Sequence, residues 1–127
     1  MAAFKNVCII DDDDLFLILT RDIMLDESFA EQIHEFEDGR EALGYLKSAA
    51  KGDFPEVLFL DINMPMLDGW EIMDAIKELD YANKMKVYIT SSSINPVDLK
   101  KAEENPSVNG FLTKPLGPKK LKEIAEN

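Results

Sequence analysis

Cationic residues are scarce in this chain. Lys and Arg number 14 against 25 Asp and Glu, which leaves a net charge of −11. Nucleic-acid phosphates need a basic face to hold them, so no direct nucleic-acid partner is expected. The same balance favours metal cations or basic partner surfaces. Cysteine is limited to Cys8. No disulfide can close within the chain, and an intracellular, cytoplasmic setting is expected. Cys8 stands in the apolar run Val7-Cys8-Ile9-Ile10 and reads as a buried strand thiol. No apolar run approaches the ~20 residues of a membrane span. Met1-Ala2-Ala3-Phe4-Lys5 lacks the apolar core of a signal peptide. Histidine is limited to His34, with no metal-ligand partner near it in sequence. Repeats, linkers and low-complexity segments are missing too. The 127 residues are therefore expected to form one domain, 1–127, with no output domain.

What is present is an alternation of short apolar runs and helical patterns. Apolar residues make up 46% of the chain, enough for a core without staples. Val7 to Ile10 reads as a buried strand. Asp14 to Leu25 follows with a helical stripe of Leu15, Ile18, Leu19 and Leu25. Gln32 to Phe36 reads as a second strand, and Asp38-Gly39 as a turn before a helix from Arg40 to Ala50. Lys51 to Pro55 is a loop. Val57-Leu58-Phe59-Leu60 is the clearest strand and ends at Asp61. Trp70 to Leu79 is a helix with Ile72, Met73 and Ile76 on its inner face. Val87-Tyr88-Ile89 is a fourth strand, and Asn95-Pro96 opens a fourth helix. Phe111-Leu112 is a short fifth strand. Gly117-Pro118 opens the last helix, with Leu121 and Ile124 inward. Strands apolar at every residue are buried on both faces, so these five units predict an α/β fold with a parallel sheet between helical layers.

Ligands of open parallel sheets bind beyond the carboxyl ends of the strands. Asp11-Asp12-Asp13-Asp14 follow the first strand, and Asp61 follows the third. Thr90, Ser91, Ser92 and Ser93 follow the fourth, and Thr113-Lys114-Pro115 the fifth. Two carboxylates 4 Å apart repel by about 4 kcal/mol at an effective dielectric near 20. A compensating cation is expected, and oxygen ligands at close quarters suit a hard divalent ion such as Mg²⁺, with Mn²⁺ as an alternative. A carboxylate nucleophile beside such an ion and a lysine is the equipment of phosphoryl transfer to an aspartate. Some of the four consecutive Asp residues cap the helix that follows; Asp13 or Asp14 suits that place.

Four features taken together resemble the receiver domain of two-component response regulators, of the stand-alone, chemotaxis-regulator kind. They are Asp11-Asp12 after the first strand, Asp61-Ile62-Asn63-Met64-Pro65-Met66-Leu67-Asp68-Gly69, a hydroxyl after Val87-Tyr88-Ile89, and Phe111-Leu112-Thr113-Lys114-Pro115. The resemblance covers essentially the whole chain and implies a flavodoxin-like (βα)5 fold with strand order 2-1-3-4-5. It implies Asp61 as the site of phosphorylation. It implies a metal held by Asp11, Asp12, Asp61 and the Asn63 backbone carbonyl. Lys114 matches the lysine that contacts the phosphoryl group, and Pro115 the residue after a cis peptide. Ser91 aligns with the switch hydroxyl once Glu104 to Val108 is allowed one extra residue, with Thr90 and Ser92 as alternatives. Phe111 matches the aromatic that rotates on phosphorylation, or is an ordinary core residue. Asp14 departs from the family, which often carries Pro there.

The function implied is a signalling switch and not an enzyme. A sensor histidine kinase or histidine phosphotransfer protein would supply the phosphoryl group. A downstream protein of unknown identity would read a changed surface of the fourth helix, fifth strand and fifth helix, with the chain as monomer or phosphorylation-dependent dimer. The alternative is a pseudo-receiver or scaffold that is never phosphorylated. A haloacid-dehalogenase-type phosphatase is disfavoured because Asn63, and not Asp, stands two residues after Asp61. A calcium loop is disfavoured because Asp11 to Asp14 are consecutive. No role is expected for Trp70 or Met73 beyond packing.

Overall fold

Short runs with apolar centres, and the mixed run Ala30–Phe36, become strands, and amphipathic runs become helices, in strict alternation. The structure, a computed structural model, describes residues 2–49, 54–64, 68–79 and 84–126. The expected helix end at Ala50, loop residues 51–53 and Pro65-Met66-Leu67 of the Asp61 motif lie outside these. The elements are β1 (Phe4–Ile10), α1 (Asp14–Asp26), β2 (Ala30–Phe36), α2 (Gly39–Ser48) and β3 (Val57–Asp61), followed by α3 (Gly69–Ile76), β4 (Lys86–Ser91), α4 (Pro96–Glu104), β5 (Gly110–Thr113) and α5 (Pro118–Glu126).

The strands form one five-stranded sheet in the order β2-β1-β3-β4-β5, with every pairing parallel. This is the flavodoxin-like arrangement. Parallel neighbours need crossovers, and the helices supply them on both faces. Val7, Ile9, Val57 and Phe59 point to the layer of α1 and α5, where Phe16, Met24, Leu121 and Ile124 meet them. Cys8, Ile10, Leu58 and Leu60 point to the opposite layer, against Ala42, Leu46, Ile72 and Ile76. β3 is central, and all five of its residues are buried, Asp61 among them.

One expectation about α1 is overturned. Leu15, Ile18, Leu19 and Leu25 lie on the solvent side, at 63%, 56%, 50% and 50% exposure. The buried face is Phe16, Leu17, Thr20 and Met24. The helix has two apolar faces and only one can lie on the sheet. Asp13 caps it, accepting from the backbone N–H groups of Leu15 and Phe16, which fits the rotation that turns Phe16 inward. Elsewhere the inner faces are as expected: Ile72, Met73 and Ile76 are buried in α3, and Leu121 and Ile124 in α5.

Two local features hold α3 and α4. Asp68 and Glu71 form a reciprocal capping box at the start of α3. Gly69 presses on the end of β3: a Cβ there would lie 2.6 Å from Ile62 Cα and 2.9 Å from the Asp61 carbonyl oxygen. Gly69→Ala is therefore expected to cost about 2 kcal/mol, as other overpacked sites do. Chemical denaturation measures this, and an unchanged midpoint would refute it. α4 buries only Ala102. The Trp70 indole N–H of α3 donates to Asp98 Oδ1 of α4 at 3.1 Å, and Lys101 Nζ stands 5.7 Å from the indole centroid. None of the described helices is long and apolar enough to cross a membrane.

Candidate functional site

The parallel sheet brings the ends of β1, β3, β4 and β5 to one edge. Asp11 follows β1 directly, with its backbone N–H on the Phe36 carbonyl at 2.9 Å. Asp61 ends β3, Ser91 ends β4 and Lys114 follows β5. The Lys114 N–H donates to the Ser91 carbonyl at 2.8 Å, which ties the last two strand ends together. The Lys114-Pro115 peptide is cis.

Asp11, Asp12 and Asp61 each place a carboxylate oxygen within 4.8 Å of the others. Asp11 is fully buried, Asp61 is 4% exposed, and Asp12 faces solvent. Asp11 Oδ1 accepts from the Asp13 N–H at 2.9 Å, and Asp61 Oδ1 from the Asn63 N–H at 3.1 Å. The remaining oxygens face Lys114, whose Nζ is 2.5 Å from Asp11 Oδ2 and 3.5 Å from Asp61 Oδ2. Burial pushes the Asp11 carboxyl above the ordinary Asp value. The Lys114 ammonium opposes that shift, and the Asp61 charge adds to it.

One ammonium does not balance three carboxylates. Asp11 Oδ2 is buried and, among the described residues, meets the Lys114 ammonium in a charge-assisted contact. Three carboxylates whose oxygens converge within 4.8 Å fit a hard divalent cation. The cluster is able to coordinate one.

The hydroxyl candidates separate by position. Ser91 is buried, donates from Oγ to the Ser93 carbonyl at 2.7 Å and accepts from Asn63 Nδ2 at 3.4 Å. A hydrogen-bonded chain thus runs from Asp61 through Asn63 to Ser91. Thr90 pairs in register with Asp61, but its buried Oγ1 has no hydrogen-bond partner among the described residues. Ser92 is exposed. Phe111 is half-buried and lines a groove of ≈290 Å³ with Leu99, Ala102 and Val108. His34 is remote from the acids in its bonding, with Nε2 3.2 Å from Asn6 Oδ1 and its ring tilted against Tyr45 at 4.9 Å between centroids.

Sequence reasoning missed one neighbour of the acids. The Phe16 ring centroid lies 4.6 Å from Lys114 Nζ. Nothing in the local pattern distinguishes Phe16 from the apolar residues beside it.

Residues 7–126 match the response regulator receiver domain. The crystal structure of a two component response regulator from Cytophaga hutchinsonii is similar, with TM-score 0.86 and 34% identity, covering 96% of this chain and 94% of that one. A chemotaxis protein CheY from Halobacterium salinarum is 33% identical over 112 residues, 88% of this chain and 86% of its own length. A probable methanogenesis regulatory protein FilR2 from Methanothrix harundinacea is 29% identical over 122 residues, 94% and 78% of the respective lengths. A match of that span, on a sheet edge that gathers three aspartates and a lysine, has one reading: the chain belongs to the response regulator receiver domains, and its acidic cluster is the phosphoacceptor site of a signalling switch and not of a conventional enzyme.

Proposed function

We propose that Asp61 accepts a phosphoryl group from a phosphohistidine of a sensor kinase or phosphotransfer protein. The observation that carries this is the position of Asp61: a nearly buried carboxylate ending the central strand, with Asp11, Asp12 and Lys114 gathered about it. An Asp61 carboxylate oxygen attacks phosphorus in line while the phosphorus–nitrogen bond of the donor breaks. The bonding pair leaves with the imidazole, and no proton need be moved at Asp61. Asp11, Asp12, Asp61 and the Asn63 backbone carbonyl would hold Mg²⁺, or Mn²⁺ in its place. The ion, when bound, would neutralise charge on the transferring oxygens. Lys114 holds a fixed positive charge at the same atoms, and the Phe16 ring lies against its ammonium.

The unburied α1 stripe of Leu15, Ile18, Leu19 and Leu25 begins beside the acidic run. An exposed apolar strip of that kind is a docking surface for the donor protein. Residues 1–127 act in this reading as one receiver unit in the cytoplasm, and the partner downstream is a protein. That partner, or a second copy of the chain, reads the face of α4, β5 and α5. The Ser91 hydroxyl leaves the Ser93 carbonyl to donate to a phosphoryl oxygen, and Phe111 turns into the space that opens. Such two-state packing passes a local charge change to a larger surface.

Amide shifts with Mg²⁺ and beryllofluoride test the proposal, the fluoride standing in for the phosphoryl group on Asp61. In the wild type, shifts are expected across α4, β5 and α5. In Ser91→Ala they are expected to stay at the strand ends although beryllofluoride still binds. Wild-type resonances from Pro96 to Lys114 that do not move would refute the route to the output face.

A further inference from the structure

Among the described residues, the Lys114 ammonium has two carboxylates and one aromatic ring as partners, and the two carboxylates change during the proposed reaction. Asp11 Oδ2, 2.5 Å away, is one of the oxygens a divalent cation would take. Asp61 Oδ2, 3.5 Å away, belongs to the group that would be esterified. The third neighbour is the Phe16 ring, whose centroid is 4.6 Å from the ammonium and whose charge distribution no step alters. The ring is also fixed in place. Phe16 is 7% exposed and packs in the layer of Leu17, Leu116 and Leu121. Its backbone N–H is held by the Asp13 cap at 3.3 Å. Lysine, by contrast, carries its charge on a flexible four-carbon stem. A cation centred over an aromatic face within about 6 Å is attracted by the ring quadrupole, more so when water is excluded. The Lys114 side chain is only 13% exposed.

We infer that Phe16 is a positioning residue for the phosphoryl-transfer site. Its ring seats the Lys114 ammonium against Asp61 whatever occupies the oxygens of Asp11. This rests on the reading of Asp61 as acceptor and adds to it the element that holds the lysine. It also gives the face selection in α1 a chemical consequence, since a helix turned to bury Leu15 or Leu19 would carry Phe16 away from the amine.

The test weakens the ring face without changing its shape. Phe16 is replaced site-specifically by mono-, di- and trifluorophenylalanine in the full chain. Labelling by acetyl phosphate at saturating Mg²⁺ is expected to slow stepwise, by about three- to tenfold at three fluorines. The ¹⁵N shift of the Lys114 ammonium, read in the Mg²⁺-bound protein before any phosphodonor is added, is expected to move with fluorine count. The melting temperature is expected to hold across the series. In a Lys114→Ala background the fluorine series should be flat in rate, as a double-mutant cycle requires. A flat ammonium shift in the wild-type background overturns the inference. So does a rate that falls equally in Lys114→Ala, because the ring would then act by packing alone. If the unsubstituted protein takes no label, the acceptor reading fails. A stepwise ammonium shift would still uphold Phe16 as the seat of the amine.

Discussion

Asp61→Asn will abolish covalent labelling by acetyl phosphate in Mg²⁺, while the wild type takes up a single base-labile phosphoryl group. The substitution is close to isosteric and keeps an oxygen for the Asn63 N–H that now bonds Asp61 Oδ1 at 3.1 Å. It removes one of three crowded negative charges, so the folded state should not weaken. What it removes is the nucleophile: a neutral amide oxygen does not attack phosphorus at a useful rate. Intact-protein mass spectrometry reads the result, with thermal unfolding as the control for folding. Label that persists at the wild-type rate in Asp61→Asn would sink the assignment. Slow residual label mapped to the exposed Asp12 would not, because Asp12 lies in the same cluster. A wild type that never takes label, with Mg²⁺ bound, would favour the scaffold reading.

Millimolar Mg²⁺ is expected to raise the melting temperature by about 10 °C. A ligand bound only by the native state adds about 2.7 kcal/mol at a hundred times its dissociation constant. In a domain of this size each kcal/mol is worth roughly 4 °C. Asp11→Asn is expected to raise the melting temperature of the metal-free protein and to weaken the Mg²⁺ response. The sign follows from the raised Asp11 carboxyl, where the folded state already disfavours the charge even with Lys114 in place. As pH rises past the ordinary Asp value of 3.8, the unfolded chain releases this proton first. The Asp11 contribution to metal-free stability then falls with pH until the raised folded value is passed. Mg²⁺ needs the ionised form, so its stabilisation should grow over the same interval. Melting scans from acid to neutral pH, with and without Mg²⁺, measure both slopes. A melting temperature indifferent to Mg²⁺ at neutral pH would count decisively against the metal site.

Much of this site was legible because a parallel sheet converts order in sequence into position in space. Four apolar runs end in Asp11, Asp61, Ser91 and Lys114, and the strand ends meet at one edge. That Asp13 or Asp14 caps α1 was legible as well, since a short acid before an apolar helix has few other uses, and the structure gives the place to Asp13. Strands β2, β4 and β5 extend past their apolar centres because backbone pairing continues through polar residues such as Glu31, Lys86 and Thr113. The face of α1 was not legible. Leu15, Ile18 and Leu19 fit a helical period, but so do Phe16, Leu17 and Thr20, and the period alone does not rank them. The contact between Phe16 and Lys114 joins residues far apart in the chain and depends on that choice of face. The Trp70–Asp98 bond likewise depends on how α3 and α4 pack.

That bond gives the protein an optical property. Trp70 is the only tryptophan in the chain. Its indole is bracketed by the Asp98 carboxylate on the N–H and the Lys101 ammonium near the ring, both carried by α4. The emission colour of an indole follows the electric field along its ring. With opposite charges on one short helix and the fluorophore on its neighbour, a tilt of α4 changes that field at once. Tyrosine and phenylalanine can be left unexcited by light at the red edge of indole absorption. The fluorescence spectrum of the unlabelled chain is then a gauge of a single interhelical distance.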